Sequence, residues 1–394
     1  MKKKIFYVFE VKYNYKFELN HNIKFLQKKF DITIIDLSKI FTPNQKKNAS
    51  RYVKKNNFHV ISKIAIFKKI LLKHKPDFIV LEGGENFKQQ ISIIIRDLVN
   101  SKIVEFFNGS VPDELPYYKV FGIKNILLNL KYHFFLKVTE TLLKFLINKV
   151  RIFFSSEKKI NYYTDILFYA GDKSLKLNEI KYKKIIKKIK SPSFDYCIAL
   201  REKKIKKKII NKKYAVFLDS MIMHHDDYNF NYPGIPVTKK YFDEMNNFFS
   251  IIEKRFDLEV VIALHPSCFI KNYGKFFEDR NCIKYQTANL VKNSSYVFSH
   301  ASSTAANFAI IFKKPLIYLI TDEMNKNFLT YTRHAIKKEI FNCNFINISN
   351  LDEQSLPSSF KIDKIGFNNY YKNYINSCKN KNKDLSQVVF ESLN

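Results

Sequence analysis

The sequence predicts an α/β protein made of two Rossmann-like domains whose parallel sheets face a central cleft. Three observations lead there. The chain has 394 residues, more than a single compact core usually organises. It is 46% hydrophobic and 16% aromatic, enough to bury a large apolar interior and too much for an intrinsically disordered chain. Short apolar runs alternate with longer helix-like patterns, and the alternation occurs twice, on either side of a lysine-crowded stretch. That is the signature of parallel sheets covered by helices.

In the first half, residues 5–9, 32–35, 78–81 and 103–107 read as buried strands, with helices expected over about 20–29, 60–75 and 87–99. Lys75-Pro76-Asp77 stops a helix, and Glu82-Gly83-Gly84-Glu85 turns at the carboxyl end of the strand that follows. Open α/β sheets bind ligands at that end. Residues 174–213, with Lys203, Lys204, Lys206, Lys207 and Lys208 and the turn Ser191-Pro192-Ser193, read as a charged connector. The alternation then resumes, with strands at 214–218, 260–264, 283–285, 296–299 and 315–320 and helices at about 238–256, 287–293 and 303–312. The domains expected are 1–190, 191–370 and a final helix or tail over 371–394.

Between the strands lies an apolar stripe of Leu127, Leu130, Phe134, Val138, Leu142 and Phe145, with Lys137, Lys144 and Arg151 on another face. Such a helix either packs in a core or lies on anionic lipid. The overall charge is +32, from 68 Lys+Arg against 36 Asp+Glu. An excess of this size attracts nucleic acid, acidic headgroups or phosphorylated substrates. Lys, Asn, Ile, Phe and Tyr, all with AT-rich codons, are abundant, so part of the charge reflects composition and its placement carries the meaning.

Cys197, Cys268, Cys282, Cys343 and Cys378 occur singly, against a zinc site or disulfide framework and in favour of a reducing compartment. The basic start runs straight into a short strand and not into a signal-peptide core. No stretch approaches the ~18 uncharged residues of a membrane span. A cytoplasmic protein is expected, with peripheral contact at the inner face of the membrane.

Three clusters could carry chemistry. Val260-Val261-Ile262-Ala263-Leu264 delivers His265 to the end of a strand, and Pro266 fixes the loop that follows. An imidazole there can hold a phosphate or protonate a leaving oxygen, or it can simply bond backbone. Further on, Ser302, Ser303 and Thr304 precede an apolar helix, either as an anion site or as ordinary helix caps. Asp219 ends another strand, with His225 and Asp227 in the loop beyond, a set that could act as a base, bind a metal, or form a solvated loop. Glu323 lies in Thr321-Asp322-Glu323, suited to ribose hydroxyls or to helix capping.

In order and spacing these clusters resemble bacterial sialyltransferase-like enzymes of the GT-B fold, which use CMP-activated nonulosonic acids or Kdo. That family carries an HP motif and a later Ser/Thr motif, both on the nucleotide phosphate; His265-Pro266 and Ser302-Ser303-Thr304 stand in those places. The chain is also similar to surface-polysaccharide biosynthesis proteins through Leu218-Asp219, His225, Asp227, Val260 to Pro266, and Lys314-Pro315 through Glu323. The likeness covers about 190–325.

The resemblance implies transfer of a pseudaminic, legionaminic or sialic-type sugar, or Kdo, from a CMP-sugar donor to a glycan or lipid-linked glycan acceptor. It implies no bound metal and no cofactor beyond the donor. Thr287, in Gln286-Thr287-Ala288, would lie near cytosine. The family's acidic motif is present only as Glu82-Gly83-Gly84-Glu85, without its paired acids, so Glu82, Glu85 and Asp219 are all candidates for the base. Two other readings stay open: a UDP- or GDP-sugar transferase of the same fold, and a non-enzymatic protein that binds nucleic acid or membrane by charge. Against the latter, no helix-turn-helix, aromatic-basic RNA motif or zinc finger is present.

Overall fold

The computed structural model describes residues 2–43, 57–109, 163–179, 184–222, 239–266, 268, 270–301, 303–325, 328–341, 344–378, 380 and 382–394. The apolar stripe at 127–145, together with His225, Asp227 and Ser302, lies outside them.

Among the described residues thirteen strands form two sheets, every adjacent pair parallel. The first holds β1 (Lys4–Phe9), β2 (Asp31–Asp36), β3 (Phe58–Val60), β4 (Phe78–Glu82), β5 (Lys102–Phe107), β6 (Tyr163–Tyr169) and β7 (Lys184–Lys190), in the order β3-β2-β1-β4-β5-β6-β7. The second holds β8 (Tyr214–Leu218), β9 (Glu259–Leu264), β10 (Cys282–Lys284), β11 (Val297–Ser299), β12 (Leu316–Ile320) and β13 (Asn344–Asn347), in the order β10-β9-β8-β11-β12-β13. Both are doubly wound, with the strand order reversing beside the first strand of each. Two such α/β domains in one chain make the GT-B architecture.

The inner strands of each sheet are buried on both faces, which is why they read as unbroken apolar runs. Ile5, Tyr7 and Phe9 of β1 face one core and Phe6 and Val8 the other. In β8, Ala215 and Phe217 face one side and Tyr214, Val216 and Leu218 the opposite one.

The lysine-crowded stretch is not a simple connector. β7 runs through it as the edge strand of the first sheet, and the helix Phe194–Lys203 follows. Every β7 lysine is exposed, and Ile186 is 64% exposed. Lysines on an edge strand discourage another chain from pairing there, so a strand can look like a polar linker. Only the stretch from 204 to 213 remains a link between the sheets.

The helix Phe194–Lys203 binds the two halves together. Ser193 caps it by accepting the Tyr196 N–H at 3.2 Å. Its Cys197 packs in a core of the first sheet, while Tyr196 and Ala199 pack in one of the second. Asn307 donates to Asp195 at 2.8 Å and accepts from the Tyr370 hydroxyl at 3.0 Å.

The tail ends in a helix, Leu385–Leu393, capped by Asp384, and Leu385, Val389 and Leu393 complete a core of the first sheet. On its way the chain passes so close to Gly171 (φ +85°) that a Cβ there would lie 1.9 Å from the Asn373 carbonyl oxygen. No helix among the described residues is long and apolar enough to cross a membrane.

Candidate functional site

In a doubly wound sheet the ligand crevice opens at the carboxyl ends of the strands where the order reverses. Here those points are β1/β4 in the first sheet and β8/β11 in the second, and the candidate residues gather around both.

In the second domain, register fixes the layout. Leu218 pairs with Ala263 and Ser299 with Leu218, so Asp219, Leu264 and His300 form the next row outward. His265, Ser220 and Ala301 form the row after that. Adjacent strands lie about 4.8 Å apart, so β9 and β11, which flank β8, are about 10 Å apart. His265 and the loop carrying Ser303 and Thr304 therefore stand on one sheet edge, on either side of Ser220.

His265 is half-buried and Pro266 exposed. The His265 carbonyl accepts the Cys268 N–H at 2.9 Å, folding the loop back, and the Tyr285 hydroxyl donates to the Pro266 carbonyl at 3.4 Å. Ser303 is half-buried and Thr304 exposed, and neither hydroxyl bonds a described residue. The helix they precede, Ala306–Ile311, starts from Ala305, which has no capping side chain. Helix capping is therefore not what these two hydroxyls do.

Asp219 lies behind the His265 loop, 5% exposed. Its Oδ1 accepts the Met221 N–H at 3.0 Å and sits 3.5 Å from the Tyr273 hydroxyl, while the His265 backbone N–H also faces the carboxylate. Burial pushes its pKa up to about 6, against those three donors, which pull the other way. Oδ2 and the neighbouring Ser220 Oγ are buried without a hydrogen bond. Asp219 thus joins the loops after β8 and β9.

Beneath it, His300 Nε2 meets the Tyr241 hydroxyl at 2.7 Å and its Nδ1 the Leu319 carbonyl at 2.9 Å. Burial lowers its pKa to about 3, and that of His334, which shares the Leu319 carbonyl, to about 4. Both imidazoles are neutral floor and not anion ligands. Thr287 opens the helix Thr287–Asn293 after edge strand β10, and Glu323 sits half-buried in the helix Asp322–Asn325 after β12. Thr321 caps that last helix by accepting the Met324 N–H at 3.1 Å.

In the first domain, Glu82 ends β4 and pairs in register with Phe9. Its Oε1 lies 2.9 Å from Nε2 of His21, the last residue of the helix Tyr15–His21. Burial, and then the charge of Glu82, raise the pKa of the Tyr7 phenol, keeping it protonated. Glu85 is exposed at the first turn of the helix Glu85–Leu98.

The glycine pair has a spatial reason. A Cβ on Gly83 would lie 2.5 Å from the Phe87 ring and 2.6 Å from the Glu10 Cβ, while the Gly84 N–H donates to Glu10 Oε2 at 2.6 Å. Lys88 Nζ donates to the fully buried Glu105 at 2.8 Å. Burial works to lower the lysine's pKa, but Glu105, Glu82 and Glu85 raise it further, so it stays charged. His21 escaped sequence reading because nothing near it in the chain marks it; only the fold sets it against Glu82.

Among the described residues no group of three or more His, Cys, Asp or Glu could hold a metal ion. No family model and no curated protein matches the sequence. Among solved structures it is similar to Acinetobacter baumannii MurG, with 8% identity and a TM-score of 0.40 over 99% of this chain and 94% of that one. It is also similar to UDP-GlcNAc 2-epimerase from Neisseria meningitidis bound to UDP-GlcNAc, with 15% identity and a TM-score of 0.49 over 99% of both chains. A third is Phytolacca americana UGT2 complexed with UDP-2fluoro-glucose and pterostilbene, with 9% identity and a TM-score of 0.45 over 100% of this chain and 94% of that one. At these values the likenesses carry no argument about chemistry, and the fold rests on the two sheets themselves.

Proposed function

We propose that this protein is a GT-B glycosyltransferase that moves a nonulosonic acid of pseudaminic, legionaminic or sialic type, or Kdo, from its CMP-sugar to a hydroxyl of a bacterial surface glycan, free or lipid-linked. The observation that carries the reading is the position of the candidates. His265 and the Ser303–Thr304 loop flank the switch point of one sheet, and Glu82 stands at that of the other. The choice of CMP rests on the resemblance of His265-Pro266 and Ser302-Ser303-Thr304 to the phosphate-holding motifs of that family.

In this reading the second domain holds the donor, with His265, Ser303 and Thr304 on its phosphate. The acceptor oxygen bonds to the anomeric carbon while the bond from that carbon to the phosphate oxygen breaks. The departing electron pair stays on the CMP phosphate, where His265 stabilises or protonates it. The acceptor's proton passes to the Glu82 carboxylate, with Glu85 and Asp219 as the other candidate bases. A +32 chain suits an anionic donor and a lipid-linked acceptor at an anionic membrane surface.

Thermal-shift measurements with CMP, UMP and GMP test it, because a ligand that binds only the folded chain raises its stability by mass action. Stabilisation by CMP, with CMP release from a CMP-nonulosonate, is expected. Stabilisation by UMP or GMP alone moves the donor class. No response to any nucleotide, with steeply salt-dependent nucleic-acid binding instead, overturns the reading.

A further inference from the structure

The first switch point holds three buried polar atoms without a hydrogen-bond partner: Tyr7 Oη, His21 Nε2 and Glu82 Oε1. All three have given up water: Tyr7 Oη has no bond in return, and Nε2 and Oε1 have only their ion-pair contact with each other, an arrangement that folded chains rarely accumulate at one place. Two of the three face each other, Nε2 and Oε1 at 2.9 Å.

The imidazole is held tightly. His21 is 2% exposed, and the rings of Phe106, Phe194 and Tyr7 meet it edge-on at 4.9, 5.1 and 5.2 Å between centroids. Phe194 begins the helix that joins the two sheets and packs against a core of the first. An apolar side chain would fill such an aromatic pocket without stranding a nitrogen. The Glu82 side chain is 18% exposed although Oε1 is buried, so the inner oxygen lies against His21 while part of the side chain stays open to solvent.

We infer that His21 is a positioning residue for Glu82: its caged Nε2, in ion-pair contact with Oε1, fixes one carboxylate oxygen so that the other faces the acceptor hydroxyl. This rests on the role proposed above for Glu82 as the group that takes the acceptor's proton. His21 itself touches neither donor nor acceptor and exchanges no proton with them. A carboxylate free to rotate would spend less time in the reactive geometry, and misplacements of about 1 Å can cost ~10²-fold in rate.

The test pairs kinetics with a signal that does not depend on turnover. His21→Ala should lower kcat for CMP-sugar turnover by roughly ten- to a hundredfold with donor KM and CMP stabilisation unchanged. His21→Gln, which keeps an N–H near the position of Nε2, should recover part of that loss. In imidazole ¹⁵N spectra of the wild type, His21 should be the Nε2–H tautomer, and Glu82→Gln should shift its signal.

Full turnover by a folded His21→Ala variant, or no rescue by His21→Gln, overturns the assignment. So does an Nδ1–H tautomer, or a His21 signal indifferent to Glu82→Gln. A wild-type chain that turns over no nucleotide sugar counts against the glycosyltransferase reading alone, since the imidazole signal decides the pairing on its own.

Discussion

The two switch points are built from the same sheet order, yet they treat polar groups differently. In the second domain Asp219 Oδ1 and both His300 nitrogens bond backbone groups and tyrosine hydroxyls, although Asp219 Oδ2 and Ser220 Oγ lack a bond, and they brace loops whose tips, His265, Ser303 and Thr304, are at least partly exposed. In the first, Tyr7 Oη is buried without a hydrogen bond, and His21 and Glu82 meet at 2.9 Å inside a cage of aromatic rings. The difference fits a division of labour. In the reading proposed above, the donor side holds a large anion on exposed contacts over a braced frame, and the acceptor side moves a proton through a few groups kept dry and fixed.

The sharpest way to break that comparison is to remove one working group from each side. Both His265→Ala and Glu82→Gln should lower donor turnover by ~10²-fold or more, but only His265→Ala should also weaken stabilisation by CMP. Equal loss of CMP binding in the two variants would collapse the distinction between donor and acceptor domains.

Packing offers the next test. Gly83→Ala places a methyl 2.5 Å from the Phe87 ring and 2.6 Å from the Glu10 Cβ, so one loop must move. A loss of about 1–3 kcal/mol in denaturant unfolding is expected. Turnover should fall with it, because the turn carries Glu82.

The pH dependence of stability tests the braced side. His300 and His334, lowered to about 3 and about 4, stay neutral when folded but take protons when unfolded. Their contribution is therefore complete above about pH 6.5 and is lost as pH falls. Asp219, raised to about 6, runs the opposite way: the fold holds a proton that the unfolded chain releases, so its contribution is present at low pH and lost as pH rises from about 4 to about 6.

Between pH 4 and 6 the aspartate thus offsets one histidine. Asp219→Asn should steepen the acid loss in that window by up to ~1.4 kcal/mol per pH unit, and His300→Gln should flatten it by a similar amount, as read from urea midpoints. Identical slopes in all three proteins would show that these groups are less enclosed than the structure has them.

The smallest effect expected is at the edge. Lys383, paired with Glu391 at 2.6 Å on the surface of the last helix, is 37% exposed. Lys383→Ala should change stability by less than ~1 kcal/mol and leave turnover unchanged.

Much of this was legible in the chain. β1, β4, β8 and β9 are apolar on both faces, so their composition identifies them without any partner. His265 at the end of such a strand already indicates a crevice. β3, β6, β7 and β13 were not read from the chain: β3 and β13 are three and four residues long, β6 carries Thr164 and Asp165 among its apolar residues, and β7 carries the lysines that protect a sheet edge and so imitates a linker. The hydroxyls of Ser303 and Thr304 could be read as caps or as ligands, and the start of the helix at Ala306 shows that they are not its caps.

By itself, then, the sequence determined the two parallel sheets and the strand ends on which chemistry could sit, because alternation of apolar runs and the stops after them are local properties. It could not determine that His21 meets Glu82, that Asp219 joins two loops, or that the final helix closes the first core. Those follow from strand order and helix crossings, where residues far apart in the chain come within one bond length of contact, and no local preference encodes that distance.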